Sequence, residues 1–373
     1  MKELIREEVR GMKRYVAGKP VSEVKRELGL TQVVKMASNE NPWGASPRVK
    51  EAVVRTLSDI SRYPDSGSFG LRAALMAKTG VPMEKIFAGC GSDSLIKVIS
   101  ATFLRPGEEI LMGEHSFSRY EDNALLMGAR VVKSPMPQGF LDLPDMLTRI
   151  TDKTRIIYLC CPNNPTGSAF GKAQFEAFLL HVPERVVLVL DEAYREYVTR
   201  EDYFEALDYL PDHPRLIVLR TFSKAYGMAS LRVGYGFAQE ELVEAFQKVM
   251  DPFLVNLFAQ EAAVAALEDE DFLRHVQEEN RKGKAYFYEE LQALNLPYVP
   301  SEANFVLFDT GRDDLEVFQA LLRKGYIVRP GSYLGLPGFL RVTISTMEDN
   351  RGFFEALRQV LEGAVSKNAQ TLR

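Results

Sequence analysis

Cysteine, tryptophan and histidine are scarce in this sequence, with three, one and four residues among 373. Two of the cysteines, Cys160 and Cys161, are adjacent, so the set offers neither a disulfide framework nor the spacing of metal ligands. We therefore expect free thiols, no bound metal and a reducing, cytoplasmic compartment.

The sequence also lacks an excess of basic residues and any long apolar run. A formal net charge of −5 argues against a nucleic-acid or anionic-membrane surface, because both need a basic face. The N-terminal segment MKELIREEVRGMKRY is charged throughout, unlike a signal peptide. We therefore expect neither a nucleic-acid nor a membrane partner. A transcription regulator is also excluded, because the segment before the first motif is too short and too weakly basic to form a DNA-binding domain.

Apolar residues make up 46% of the chain and charged residues 26%, as in ordinary globular enzymes, and the length favours two domains. Between residues 69 and 238, short apolar runs alternate with helical periodicity. This pattern predicts an α/β fold with a mostly parallel central sheet and helices on both faces. Longer helical stretches after Pro252 predict a smaller α+β unit. We expect a large domain over 47–255 and a small one formed by 1–46 and 256–373.

Polar motifs follow several predicted strands, at the edge where open parallel sheets bind ligands. In GCGSDS, the glycines and a helix starting near Ser92 suit a phosphate, although Ser92 or Asp93 acting as a helix N-cap explains the motif equally well. In CPNNPTG, Asn164 is either part of a simple turn or an amide donor to a ligand.

Two further motifs carry charge at a strand end. Asp191 in VLVLDEAY is either a helix N-cap or a buried carboxylate that faces a cation, with Tyr194 three residues later. Lys224 in LRTFSKAYGMASLRVGYGF is either a solvated lysine or an amine that bonds to a carbonyl, with hydroxyls before it and Arg232 after it. Together these groups suit pyridoxal phosphate, which needs an amine, a carboxylate, ring-oxygen donors and a cationic phosphate site.

The chain resembles the fold-type I pyridoxal-phosphate aminotransferases of class I/II and, among them, the histidinol-phosphate aminotransferases. The resemblance covers nearly the whole length and rests on EVRGMKRYVAGKP, ASNENPWG, RYPD, GCGSDSL, CPNNPTG, DEAY, SKAYGMASLRVGY, ANFVLF, VRPG and FLRVTIS. Two segments depart from the family pattern, GEHSFSRY and the pair Ala229-Ser230. Neither removes a group that the chemistry needs.

The resemblance implies roles for individual residues. Lys224 would bond covalently to pyridoxal 5′-phosphate and shuttle a proton, and Asp191 would pair with the ring nitrogen. Tyr194 and Asn164 would donate to the ring oxygen, and Phe117 would stack on the ring unless it is plain core. The cofactor phosphate would meet Ser92, Asp93, Thr221, Ser223 and Arg232, and Tyr63 of a second subunit, which implies a homodimer.

The resemblance also implies the reaction. Tyr15, Arg329 and Arg341 would bind the phosphate of L-histidinol phosphate, which exchanges its amino group with 2-oxoglutarate in histidine biosynthesis. Arg329 and Tyr15 could instead be surface residues that make ordinary salt bridges. An aromatic amino-acid aminotransferase and a threonine-phosphate decarboxylase share the scaffold and remain alternatives.

Overall fold

The computed structural model describes residues 2–12 and 18–370, and the side chains of residues 3–12 and 18–363. The α-helices are α1 (Glu7–Gly11), α2 (Val21–Leu28), α3 (Pro47–Arg55), α4 (Phe69–Thr79), α5 (Gly91–Phe103), α6 (Arg119–Leu126), α7 (Leu143–Thr148), α8 (Lys172–Leu179), α9 (Glu240–Val249), α10 (Leu257–Glu268), α11 (Glu270–Ala293), α12 (Asp314–Arg323) and α13 (Met347–Gln370). Short 3₁₀ helices lie at Lys2–Leu4, Thr56–Asp59, Met83–Lys85, Pro137–Gly139, Arg195–Tyr197, Ala206–Tyr209, Ala229–Leu231 and Gly331–Leu334. No helix in this described part is long and apolar enough to cross a membrane.

The strands form three sheets. They are β1 (Val34–Lys35), β2 (Ile86–Gly89), β3 (Glu109–Gly113), β4 (Arg130–Ser134), β5 (Thr154–Cys160), β6 (Val187–Asp191), β7 (Leu216–Thr221), β8 (Gly234–Phe237), β9 (Tyr298–Val299), β10 (Phe305–Asp309), β11 (Tyr326–Ile327), β12 (Arg329–Pro330) and β13 (Phe339–Thr343). Within the described residues, the central sheet has seven strands in the order β2-β8-β7-β6-β5-β3-β4. Only β8 runs antiparallel to its neighbours there, so the predicted mostly parallel sheet is confirmed.

The central strands are apolar because both faces of the sheet are covered. Alternate residues of β6 enter separate cores, Leu188 and Leu190 on one face and Val187 and Val189 on the other. The apolar runs predicted between residues 69 and 238 form the strands β2 to β8 of this sheet.

The C-terminal part builds an antiparallel sheet in the order β12-β13-β10-β9, flanked by α11, α12 and α13. Before it, α10 packs against α3 and α4 and adds buried alanines to the core of the central sheet. The N-terminal segment joins the C-terminal unit, because β1 pairs in parallel with β11 and Met36 lies in its core. We propose that the chain has the two predicted domains, and that α10 belongs to the larger one.

Candidate active site

A cavity opens at the carboxyl edge of the central sheet, where the N-terminal segment and the C-terminal unit meet it. About 910 Å³ inside it is free of protein atoms, with the open water at the mouth included. All but two of the predicted site residues line it, namely Ser92, Asp93, Phe117, Asn164, Asp191, Tyr194, Thr221, Ser223, Lys224, Arg232, Arg329 and Arg341. The exceptions are Tyr63 and Tyr15.

Asp191 is a buried carboxylate whose hydrogen bonds are both with neutral donors. Its side chain accepts from Tyr120 Oη at 2.7 Å and from the Ala193 amide at 3.1 Å. Burial raises the pKa of Asp191 to about 6, although the hydrogen bond from Tyr120 opposes the shift. Among the described residues no cation lies within ion-pair distance of it, and no α-helix begins there for it to cap. A cationic ligand in the cavity would give this carboxylate the partner that the sequence leads us to expect.

Lys224 follows β7 and reaches into the same cavity. Its Nζ donates to the Ser38 carbonyl at 3.2 Å and lies 5.6 Å from the centre of the Tyr194 ring. Burial, and secondly the nearby charge of Arg341, lower the pKa of Lys224 to about 8. An amine with this pKa is neutral for a large fraction of the time near pH 8, as a nucleophile or proton acceptor requires.

The phosphate-binding prediction falls on the start of α5. Gly91 has φ +76°, and a Cβ there would lie 2.7 Å from a terminal nitrogen of Arg232. A Cβ on Gly234 would lie 2.5 Å from the Ser92 amide nitrogen, so these glycines allow the close approach. Cys90 occupies the N-cap position without a side-chain cap bond, so the alternative that Ser92 or Asp93 caps the helix is wrong.

The hydroxyls of the lysine loop are close to Arg232. Arg232 donates to Ser223 Oγ at 3.5 Å and to the Ala229 carbonyl at 3.0 Å. Thr221 Oγ1 accepts from the Ser223 amide at 3.1 Å. A guanidinium, two hydroxyls and the amides at the start of α5 thus surround one end of the cavity, as an anion requires.

The predicted ring-oxygen donors are held by neighbours. Arg341 donates to Asn164 Oδ1 at 2.5 Å, so the Asn164 amide keeps its Nδ2 hydrogens for other acceptors. Tyr194 Oη accepts from Asn39 Nδ2 at 2.9 Å, which leaves the tyrosine hydroxyl hydrogen for another acceptor. Phe117 lies edge-on to Tyr120, with ring centres 5.7 Å apart.

Arg329 and Arg341 are opposite each other on β12 and β13, and both are buried. Arg341 also donates to the Ala37 carbonyl at 2.8 Å and lies over the Phe305 ring. Arg329 lies over the ring of Tyr333, 5.5 Å from its centre. Because Arg329 is buried, the alternative that it is a surface residue is wrong.

Two groups of contacts in the site were not predictable from the sequence. Three consecutive residues, 37–39, contact Arg341, Lys224 and Tyr194 in turn through two carbonyls and the Asn39 amide. Tyr120, three residues after Phe117, binds Asp191. Both lie within quoted motifs, ASNENPWG and HSFSRY, but main-chain contacts and partners distant in sequence leave no pattern that periodicity detects.

Tyr63 does not line the cavity of its own chain. Its side chain is 82% exposed and stacks on Phe253, with ring centres 4.6 Å apart. Tyr15 lies outside the described residues. Their predicted contacts, with the cofactor phosphate and with the substrate, stay predictions.

The chain matches a family model over most of its length. The model describes aminotransferase class I and II and matches residues 31–357. A histidinol-phosphate aminotransferase of Moorella thermoacetica is 47% identical over 357 residues, covering 95% of this chain and 92% of that protein. Histidinol-phosphate aminotransferase 2 of Carboxydothermus hydrogenoformans is 44% identical, with 96% and 99% covered.

Solved structures agree with this match. The histidinol-phosphate aminotransferase of Sinorhizobium meliloti, in complex with pyridoxal-5′-phosphate, has a TM-score of 0.89 at 26% identity and covers 97% of this chain, with 98% of its own chain covered. A double mutant of Thermus thermophilus aspartate aminotransferase has a TM-score of 0.82 at 26% identity, with 95% and 99% covered. The predicted resemblance is confirmed, and the chain belongs to the aminotransferase class I and II family.

Proposed function

We propose that this protein is a pyridoxal-5′-phosphate-dependent transaminase that exchanges amino groups between L-histidinol phosphate and 2-oxoglutarate, in histidine biosynthesis. One observation carries the proposal: Asp191 and Lys224 line the same cavity. Asp191 is a buried carboxylate with no cation beside it among the described residues, and Lys224 has a lowered pKa. The names of the full-length relatives support the choice of substrate.

The residues of the cavity fit this cofactor. When bound, pyridoxal 5′-phosphate supplies the electron sink for amino-group exchange. Asp191 would hold a proton on the ring nitrogen, and that charge pair would satisfy a carboxylate that is otherwise costly to bury. Lys224 would hold the cofactor and would take and return the proton at the substrate Cα. Tyr194 and Asn164 would hold the cofactor through hydrogen bonds, and Phe117 would hold it through ring contact.

The ends of the cavity hold the two anionic groups. Ser92, Asp93, Thr221, Ser223 and Arg232 hold the cofactor phosphate through amides, hydroxyls and a guanidinium. Arg329 and Arg341 bind the substrate phosphate, together with Tyr15. The α-carboxylate of the amino acceptor is the smaller anion and binds the same guanidinium of Arg341.

We also propose that the active unit is a cytoplasmic homodimer. Residues 54–69 expose five large apolar side chains, between 53% and 82% of each, at Val54, Leu57, Ile60, Tyr63 and Phe69. Apolar side chains grouped in this way are typical of a protein interface. A second copy would cover them and bring Tyr63 to the neighbouring cofactor phosphate. The cytoplasmic location is supported by the free state of all three cysteines.

Absorbance spectroscopy tests the proposal. Purified protein mixed with pyridoxal 5′-phosphate is expected to show a visible band, and borohydride reduction is expected to fix the cofactor to the peptide containing Lys224. Adding L-histidinol phosphate should bleach the band, and 2-oxoglutarate should restore it. Protein that shows no covalent attachment, with Lys224→Ala as the control, would contradict the cofactor assignment.

The amino donor needs a separate comparison. The value of kcat/KM for L-histidinol phosphate is expected to exceed those for phenylalanine and tyrosine by about a hundredfold or more, because only the phosphate pairs with both buried arginines. Equal values would favour an aromatic amino-acid aminotransferase. Release of carbon dioxide from threonine phosphate would favour a decarboxylase.

A further inference from the structure

A buried ion pair lies behind the two strands that carry Asp191 and Thr221. Side chains alternate along β6 and β7, so these two face the cavity while Glu192 and Arg220 face the opposite side of the sheet. The Glu192 side chain is 0% exposed and that of Arg220 is 3% exposed. Neither lines the cavity, yet each adjoins a cavity residue in the chain.

The pair joins neighbouring strand ends through several bonds. Arg220 Nε and one terminal nitrogen both lie 2.8 Å from Glu192 Oε2. Tyr203 Oη lies 3.1 Å from Glu192 Oε1 and 3.0 Å from the Cys161 carbonyl, which follows β5. These bonds therefore connect the ends of the adjacent strands β5, β6 and β7 on the side of the sheet opposite the cavity.

A second ion pair completes the cluster. Glu205 Oε1 lies 2.5 Å from Arg220, and Glu205 Oε2 lies 2.6 Å from Arg195. The carboxylates of Glu192 and Glu205 thus pair with the guanidiniums of Arg220 and Arg195, and Arg195 also lies 3.7 Å from Glu192. Arg195 and Glu205 would remain paired with each other if Glu192 and Arg220 were both replaced.

Stability alone does not account for such a pair. A buried ion pair commonly contributes no more to stability than apolar side chains of the same volume, because both charges lose their hydration. The pair instead restricts the relative positions of the two residues, because the planar guanidinium group donates to a carboxylate in few orientations. Tyr194 follows Glu192 by two residues and Lys224 follows Arg220 by four, so the pair bounds the loops that carry both.

We propose that Glu192 and Arg220 are positioning residues that set the distance between Asp191 and Lys224, on opposite sides of the cofactor ring. The inference rests on the proposed function, because it concerns the grip on pyridoxal 5′-phosphate. The pair acts through the two strand ends and does not contact the reacting atoms.

The test replaces the pair with apolar residues and measures cofactor binding. The double variant Glu192→Leu/Arg220→Met is expected to unfold at nearly the same denaturant concentration as the wild type, because the remaining charges, Arg195 and Glu205, keep each other as partners. Its dissociation constant for pyridoxal 5′-phosphate is expected to rise at least about tenfold, and the pH titration of the visible band should shift. Arg220→Met alone should lose both stability and affinity.

Two further variants make the result decisive. Arg220→Lys keeps the charge without the fork, so it should stay folded and bind the cofactor more weakly. Arg155→Met is the control. It breaks the ion pair between Arg155, near the start of β5, and Glu108, whose charged atoms are 2.7 Å apart. The affinity for pyridoxal 5′-phosphate should not change.

Several outcomes overturn the proposal. It fails if the double variant binds and titrates like the wild type, if Arg220→Lys keeps full affinity, or if Arg155→Met weakens binding equally. A wild-type protein that does not bind the cofactor would instead overturn the proposed function, before any variant is compared.

Discussion

Asp191 is a residue that lowers the stability of the folded protein when no ligand is bound. The carboxyl group is 2% exposed, and burial raises its pKa from an ordinary 3.8 to about 6. Between these values the folded protein holds the proton more tightly than the unfolded chain does. The stability of the cofactor-free protein therefore falls as pH rises through this window, and the whole penalty is present above about pH 6.

Asp191→Asn is expected to stabilise the cofactor-free protein at pH 8 and to weaken cofactor binding. The gain in free energy of unfolding should reach up to about 3 kcal/mol at pH 8 and vanish near pH 3, where both states are protonated. Urea unfolding at the two pH values measures it. Asp152→Asn, whose side chain is fully exposed, serves as the control, and a variant no more stable than the wild type at pH 8 would contradict the account.

The lowered pKa of Lys224 makes a kinetic prediction. The rate at which the cofactor-free protein bonds covalently to pyridoxal 5′-phosphate should rise about tenfold per pH unit and level off above about pH 8. Arg341→Met removes the nearby positive charge and should move the midpoint to higher pH. Stopped-flow absorbance gives both profiles, and a rate constant that still rises about tenfold per pH unit between about pH 8 and about pH 10 would rule out the lowered pKa.

At the scale of elements, the site depends on loops that approach each other closely. Gly227, in the lysine loop, has φ +70°, and a Cβ there would lie 1.9 Å from the carbonyl oxygen of Gly44 in the N-terminal segment. A side chain at 227 would push apart the two segments that meet at Lys224. Gly80, at the end of α4, has a similar φ of +74° but no atom within 4 Å of its Cβ position.

Gly227→Ala and Gly80→Ala form a matched pair. Both pay the backbone cost of a left-handed residue, about 1 kcal/mol, but only Gly227→Ala adds a collision, for an expected total of about 3 kcal/mol or more. Cofactor affinity should fall in Gly227→Ala alone. Urea unfolding and cofactor titration measure the two effects, and equal losses in both variants would show that the contact with Gly44 is unimportant.

The elements also show what periodicity can and cannot predict. The strands of the central sheet were predictable because both faces are buried, so each appears as an apolar run between turn residues. The two-residue strands β1 and β11 were less accessible, since they pair with each other from opposite ends of the chain.

At the scale of the whole molecule, the exposed apolar side chains of residues 54–69 bear on assembly. Ile60→Asp places a charge among them and is expected to shift the protein from dimer to monomer, because a buried unpaired carboxylate is costly. The monomer should also bind cofactor more weakly, since Tyr63 of the second copy is lost. Light scattering after gel filtration measures the mass.

Leu180→Asp provides the control for this experiment. Leu180 is 81% exposed but stands apart from the 54–69 stretch, so its replacement should change neither mass nor affinity. A wild-type protein that is monomeric at micromolar concentration, or an Ile60→Asp variant that remains dimeric, would contradict the proposed interface.

The sequence by itself determined the α/β class, the order of the strands along the chain and the chemical groups of the site. It could do so because apolar periodicity and short motifs are local properties. The tertiary structure alone decided the contacts of residues 37–39 with three site residues, the bond from Tyr120 to Asp191 and the ion pair of Glu192 with Arg220. These join residues far apart in the chain, and their geometry is set only when strand ends, loops and the N-terminal segment pack together.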